Sequence, residues 1–137
     1  MRPIASPMLQ RTRPFSSLAV VLAIMWSWSP LAGAAGDVAA GRAAFAKCAS
    51  CHQVGPSARG GFGPQLNGVI GRRAGATADF RYSSAMANAN FNWTEERLRA
   101  FMKSPDDVVP GNKMRFWGIA SERQRDDILA YLRSTTR

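Results

Sequence analysis

The sequence predicts an all-α domain of three main helices plus short helical turns, and three observations lead there. Apolar residues recur at helical spacing in three stretches, each preceded by a side chain suited to capping. No stretch alternates long enough to make a strand, and no internal repeat or low-complexity tract interrupts the pattern. The third observation is Cys48-Ala49-Ser50-Cys51-His52 at the end of the first helical stretch. Two thiols three residues apart with an imidazole directly after the second form the attachment signature of a c-type haem. On a turn of helix the two sulfurs can reach two vinyl groups on one porphyrin edge, and His52 then points at the iron. The helices are therefore expected to wrap one covalently attached haem.

Other uses of a Cys-x-x-Cys pair fit less well. A structural zinc needs four ligands, and Cys48, Cys51 and His52 are the only cysteines and the only histidine in the chain. A thioredoxin-like pair would sit in a βαβ unit, which the pattern lacks. A plain disulfide leaves His52 without a purpose.

Residues 1–34 read as a secretory signal. Arg2, Arg11 and Arg13 precede an apolar run from Phe15 to Trp28, and Ala32-Gly33-Ala34 supplies small residues for cleavage. The run is short and interrupted by serine for a spanning helix. No membrane span is expected after cleavage, and the mature domain is taken as 35–137, a periplasmic protein. Export suits the cysteines, because covalent haem attachment in bacteria takes place outside the cytoplasm, where thiols spaced this way would otherwise risk oxidation. A domain of roughly 100 residues has little core of its own. A large apolar macrocycle supplies the missing burial, so the protein without it is expected to be poorly folded.

Charge narrows the partners. The whole chain carries +9 at pH 7. Without the three signal arginines, fifteen basic face nine acidic side chains. That balance steers toward acidic protein surfaces. Nucleic acid is not expected, because the arginines are scattered and no basic helix stripe or aromatic stacking platform accompanies them.

The elements follow in order. Asp37 is a cap for a helix over 38–47, with Val38, Gly41, Phe45 and Cys48 on one face. Gly41 at a buried position costs about 1 kcal/mol against alanine, which points to close approach of another helix. Residues 53–63 are too rich in Gly and Pro for regular structure. Pro64 offers a carbonyl that can accept the Nδ1 proton of His52, leaving Nε2 for iron; Leu66, Val69 and Ile70 would face the haem. Residues 82–86 form a short helical turn. A firmer helix opens at Asn92 or Thr94 with Glu95 and Glu96 in its first turn, buries Leu98, Phe101 and Met102, and stops at Pro105. Asp106 and Asp107 are expected at the surface and 108–114 as loop. Ser121 and Gln124 have capping-box spacing before a last helix that buries Ile128, Leu129, Tyr131 and Leu132.

With no second histidine, bis-histidine ligation is excluded, and a thioether is the next soft donor. The mature chain has Met86, Met102 and Met114. Met102 continues an apolar helix face, where core packing is its natural use. Met86 lies in a short turn and reads as filler. Met114 follows Pro110-Gly111-Asn112-Lys113 in a loop able to bring it over the opposite haem face. A His/Met pair raises the reduction potential, and a saturated iron is suited to electron transfer.

At this point the chain resembles the class I cytochromes c, especially the mitochondrial type and bacterial cytochrome c2-like proteins. The match runs from Gly36 to Leu132 through Gly41/Phe45, the Cys48–His52 motif, Gly63-Pro64-Gln65-Leu66-Asn67-Gly68, Gly71-Arg72, Phe80-Arg81-Tyr82-Ser83, Trp93-Thr94, Pro110-Gly111-Asn112-Lys113-Met114 and Asp127-Ile128-Leu129-Ala130-Tyr131-Leu132. The resemblance implies thioether attachment at Cys48 and Cys51, axial ligation by His52 and Met114, and orientation of His52 by Pro64. It implies that Arg72, Tyr82 and Trp93 hold the inner haem propionate. It also implies that the first helix crosses the last, with Gly41 against the region of Tyr131.

Two positions depart from the family pattern. Phe101 stands where a tyrosine usually touches the methionine sulfur, and Asn112 where a threonine stands beside a propionate; the Asn112 amide could still donate there. Without a donor on its sulfur the methionine favours ferric iron. The midpoint potential is expected to lie below that of tyrosine-bearing relatives and to rise in Phe101→Tyr; voltammetry showing no rise would remove this explanation. Lys47 and Lys113 match the family's cationic docking ring, with Arg59, Arg73 and Arg115 in support, but Asp106-Asp107 stand where lysines are common. The resemblance implies a monomeric, mobile one-electron carrier. It would run between respiratory or photosynthetic complexes and dock on acidic redox-partner proteins. A dedicated electron-accepting subunit of a periplasmic dehydrogenase is the alternative, and copurification would reveal it. A haem enzyme or gas sensor would need an open sixth site.

Overall fold

The computed structural model describes residues 36–135, so the signal segment expected over 1–34 lies outside the described residues. Asp37 caps the first helix as its residue type suggests: Oδ1 accepts from the Ala40 amide at 2.7 Å, satisfying one of the donors that a helix start leaves free. α1 spans Val38–Phe45 and buries Gly41 and Phe45. Val38, expected on the same face, is 47% exposed. Helical angle sets only the side a residue faces. Burial also requires a neighbour at that height, and the backbone contacts of the last helix fall at Gly36 and Gly41. Regular helix ends at Phe45, but the winding continues: the Cys48 and Ala49 amides donate to Phe45 O, and the Cys51 and His52 amides to Cys48 O.

Two short helices and two longer ones follow. α2 (Ser84–Ala87) starts at Ser83, whose Oγ accepts from the Met86 amide. α3 (Glu95–Lys103) starts at Thr94, whose hydroxyl accepts from the Arg97 amide at 3.1 Å, and it buries Leu98 and Phe101. Met102 is only half-buried. Pro105 ends α3 as expected, but it also opens a helical turn, α4 (Pro105–Val108), of which only Val108 falls in the 108–114 stretch expected as loop. Proline is suited to a first helical position because its φ is preset and its missing amide hydrogen would have no partner there. Asp106 and Asp107 are exposed on this turn.

α5 (Glu122–Ser134) contributes the two fully buried large side chains, Ile128 and Leu129, and buries Leu132 beside them. Ser121 Oγ accepts from the Gln124 amide at 3.3 Å. The returning arm of the capping box goes elsewhere, since Gln124 Oε1 accepts from Lys47 Nζ at 3.4 Å. Buried Arg125 donates from Nη1 to Ile119 O at 2.6 Å and to Ala120 O at 2.8 Å, securing the extended segment that enters α5. Among the described residues there is no strand, only an isolated bridge between Arg73 and Asn92.

α1 packs across α5, and α5 against α3. Asp127 Oδ1 accepts from the Asp37 amide at 2.7 Å, and the Phe45 and Tyr131 rings lie 5.3 Å apart. Gly41 allows this approach. A Cβ there would strike the Asp127 carbonyl and lie 2.9 Å from Tyr131 Cβ. Gly41→Ala should therefore destabilise the protein by about 1–3 kcal/mol of overpacking, even though alanine is the better helix former by about 1 kcal/mol. A lower guanidinium midpoint at unchanged slope is the expected observation. An unchanged midpoint would show that the two helices separate at no cost.

Candidate haem site

The attachment motif is held from two sides. Its backbone is wound by the bonds to Phe45 O and Cys48 O, which leaves Cys48 half-buried and Cys51 exposed, both as free thiols. Burial raises the Cys48 thiol pKa, only partly offset by the positive charge of Lys47. The Gly/Pro loop runs alongside: the Gly63 amide donates to Cys51 O and the Leu66 amide to Gln53 O, each at 2.9 Å, so the residues on both sides of His52 are pinned.

His52 Nδ1 lies 2.8 Å from Pro64 O. A carbonyl only accepts, so Nδ1 carries the proton and the Nε2 lone pair is free. Burial lowers the His52 pKa and the Pro64 bond opposes it, a balance that favours the neutral ring, the form that ligates metals. Gly63 sets the ring's position. A Cβ at 63 would come within 2.5–3.0 Å of Cε1, Nδ1 and Nε2. Glycine's small size is what lets the loop lie on the imidazole, a role its place in a Gly-rich run conceals.

Further along, Arg72 donates from Nη1 to Asn67 O at 3.0 Å and from Nη2 to Gln65 O at 2.9 Å. It clamps the segment that carries Pro64 and keeps three of its five donors uncommitted by these bonds. Asn67 ties the same segment to Gly55 by a reciprocal pair, Gly55 N to Oδ1 and Nδ2 to Gly55 O, both 2.7 Å. Burial pushes the Arg72 pKa down, while Tyr82 first and then Asp79 act in the opposite direction. Trp93 is brought to Arg72 by the backbone: its amide donates to Arg72 O at 2.9 Å, and its carbonyl accepts from Gly71 N at 2.7 Å. Its buried ring stands edge-on to Phe91 and Phe101, with centroids 4.9 and 5.0 Å away. Arg72 and Trp93 are thus neighbours through their backbones, Tyr82 lies within electrostatic reach of the guanidinium, and Phe101 belongs to the same aromatic stack as Trp93.

Met114 is half-buried and packs on the core. The structure corrects the expectation for Asn112. Its Oδ1 accepts from the Met114 amide at 2.8 Å, and its Nδ2 donates to Asp106 Oδ1 at 2.8 Å and to Val109 O at 3.0 Å. An amide nitrogen has two hydrogens. Both are engaged inside the loop, so Asn112 is not left with a donor for a propionate. It orders the Met114 backbone instead, with Asp106 behind it. Asn112→Ala should therefore cost about 1–2 kcal/mol in lost hydrogen bonds and let added imidazole bind severalfold faster. Equal stopped-flow rates in the two proteins would remove Asn112 from this role.

The donor set fits a covalent haem. Two free thiols one turn apart, an imidazole with its tautomer set, and a thioether on a separate ordered loop match its attachment and ligation chemistry. Cys48, Leu66, Ile70, Met102, Met114 and Phe116 all pack on the core while remaining half-buried, apolar surface suited to a large flat partner. Val69, read as haem-facing, is buried within the core itself.

Comparison with known proteins agrees. The family model described as Cytochrome c matches residues 38–136. The chain is 47% identical over 100 residues to cytochrome c2 of Agrobacterium tumefaciens, covering 71% of this chain and 90% of that protein. It is 45% identical over 105 residues to cytochrome c2 of Rhodomicrobium vannielii, covering 77% and 84%. Among solved structures, cytochrome cH from Methylobacterium extorquens superposes with a TM-score of 0.68 at 39% identity, over 72% of this chain and 99% of that one.

Proposed function

The chain belongs to the cytochrome c family, and from that premise we propose that it is an exported, monomeric one-electron carrier whose iron is held between His52 and Met114. Membership brings a covalently attached c-type haem, and Cys48 and Cys51 supply the attachment motif. The protein transfers electrons and is not an enzyme. When bound, the haem supplies a one-electron change at iron; the chain's residues hold it and tune it.

The observation that carries this reading is the 2.8 Å pairing of His52 Nδ1 with Pro64 O. It commits one ring nitrogen and turns the other, unprotonated one to ligation. Met114 supplies the second donor from a loop ordered by Asn112. Together His52 and Met114 would hold the iron and keep small ligands from it, which suits electron transfer. Arg72, Tyr82 and Trp93 form the polar neighbourhood assigned to the inner propionate, with the guanidinium supplying positive charge. No helix among the described residues is long and apolar enough to cross a membrane, in keeping with a carrier that works in the periplasm once the 1–34 segment is removed. The excess of basic side chains favours acidic redox partners.

The optical spectrum of the purified protein, oxidised and reduced, with and without carbon monoxide, tests the proposal. A low-spin spectrum unaffected by the gas is expected. Rapid gas binding by the reduced protein would mean that the sixth position is open, and the carrier reading would give way to a sensor or enzyme-like one.

A further inference from the structure

One large side chain takes no part in the fold or in the site. Trp117 is 104% exposed, more than any other large apolar residue among those described. It follows Met114 by three residues, on a segment where inward and outward positions alternate. Met114 and Phe116 are half-buried, whereas Lys113, Arg115 and Trp117 are exposed.

The backbone beneath the ring is secured. Gly118 has φ +90° and lies against the Lys103 carbonyl, where a Cβ would collide. The Ile119 amide donates to Met102 O at 2.8 Å, and Ile119 is buried. The indole is therefore presented from an anchored segment. It offers about 150–250 Å² of mostly apolar surface that the fold does not use. Phe62, at 91% exposure, is the other such ring, but glycines flank it on both sides.

We propose that Trp117, flanked by Lys113 and Arg115, is the contact anchor for an acidic redox protein, seating in an apolar recess rimmed by that partner's carboxylates. This rests on the electron-carrier reading above. Tryptophan and arginine are the side chains that dominate binding energy in protein interfaces. Among the described residues, neither Lys113 nor Arg115 forms an ion pair, so both charges are available to a partner. The neighbouring turn α4 carries exposed Asp106 and Asp107, and Asp106 is bonded to Asn112 beside Lys113. That mixed-sign rim suits a patterned protein surface better than a uniformly anionic lipid sheet. The work divides accordingly: the cations set the approach rate and its salt dependence, while the ring sets how long the encounter lasts.

The test uses the haem-loaded protein with two oxidants, the acidic copper protein plastocyanin and the small anion ferricyanide, and measures rates by stopped flow against ionic strength. The reaction passes one electron from the reduced protein to Cu(II), giving Cu(I), or to ferricyanide, giving ferrocyanide, with no proton or ligand exchanged. Trp117→Ala should lower the plastocyanin rate at high salt about tenfold, leaving the salt slope and the ferricyanide rate unchanged. Lys113→Ala and Arg115→Ala should flatten the slope instead. Equal plastocyanin rates for Trp117→Ala and the parent overturn the proposal. So does an equal loss with both oxidants, which would mean that the ring supports the haem site. Trp117-dependent binding to phosphatidylglycerol vesicles with unaltered plastocyanin rates would replace the protein partner with a membrane. A parent protein that reduces neither oxidant refutes the carrier reading itself.

Discussion

Replacing Met114 with alanine is expected to turn a protein inert to carbon monoxide into one that binds it rapidly, with a midpoint potential lower by about 0.1 V or more, within the ~0.8 V range that axial ligands command. The thioether is a soft donor that favours the reduced metal; without it, the oxidised form gains relative stability and the sixth position opens to added ligands. The fold should survive. Met114 is half-buried rather than central, and its loop is anchored downstream by Gly118 against Lys103 and by Ile119 on Met102 O. A variant with parental spectrum and no gas binding would transfer the ligand role to Met86 or Met102. Both have other uses here: Met86 is buried in α2, and Met102 continues the apolar side of α3.

The second large effect is expected from removing attachment. A Cys48→Ala/Cys51→Ala double variant should lose covalent haem, read as haem extractable by acidified solvent, and with it the cooperative unfolding transition. Among the described residues only Ile128 and Leu129 are fully buried large side chains, and much of the remaining apolar surface on the core is half-covered by protein. The expected loss approaches the whole ~5–15 kcal/mol by which a domain is ordinarily stable, because binding free energy of an organising cofactor is folding free energy. Cooperative unfolding at the parental midpoint would show that the helices alone suffice.

Much of this protein could be read from its residues because the relevant chemistry is local. The pentapeptide at 48–52 needs no distant partner to be recognised. Asp37, Thr94 and Ser121 lie within three residues of the amides they cap, so the starts of the three main helices are visible in a short window. Gly41 also left a trace, since a glycine at a buried helical position fits either simple tolerance or close approach of another backbone, and the Asp127 carbonyl decides for the second.

Other features were hidden because their partners are remote or compete. Gly63 looks like one more glycine in a loop, yet its missing side chain is what admits the His52 ring. Pro105 signals the end of a helix equally well whether or not another follows, and here α4 does. Val38 has the right periodicity but no neighbour over it.

From the sequence alone came the helical class, the caps, the attachment residues and the choice of Met114 over two other methionines as candidate ligand. All of these rest on residue type and spacing, which chain order preserves. The tertiary structure alone decided how Asn112 is used. An amide has a fixed number of donors and acceptors, and their partners are whichever groups folding brings closest. Once Asp106 and Val109 took both hydrogens and Met114 the oxygen, the residue became a brace for the ligand loop.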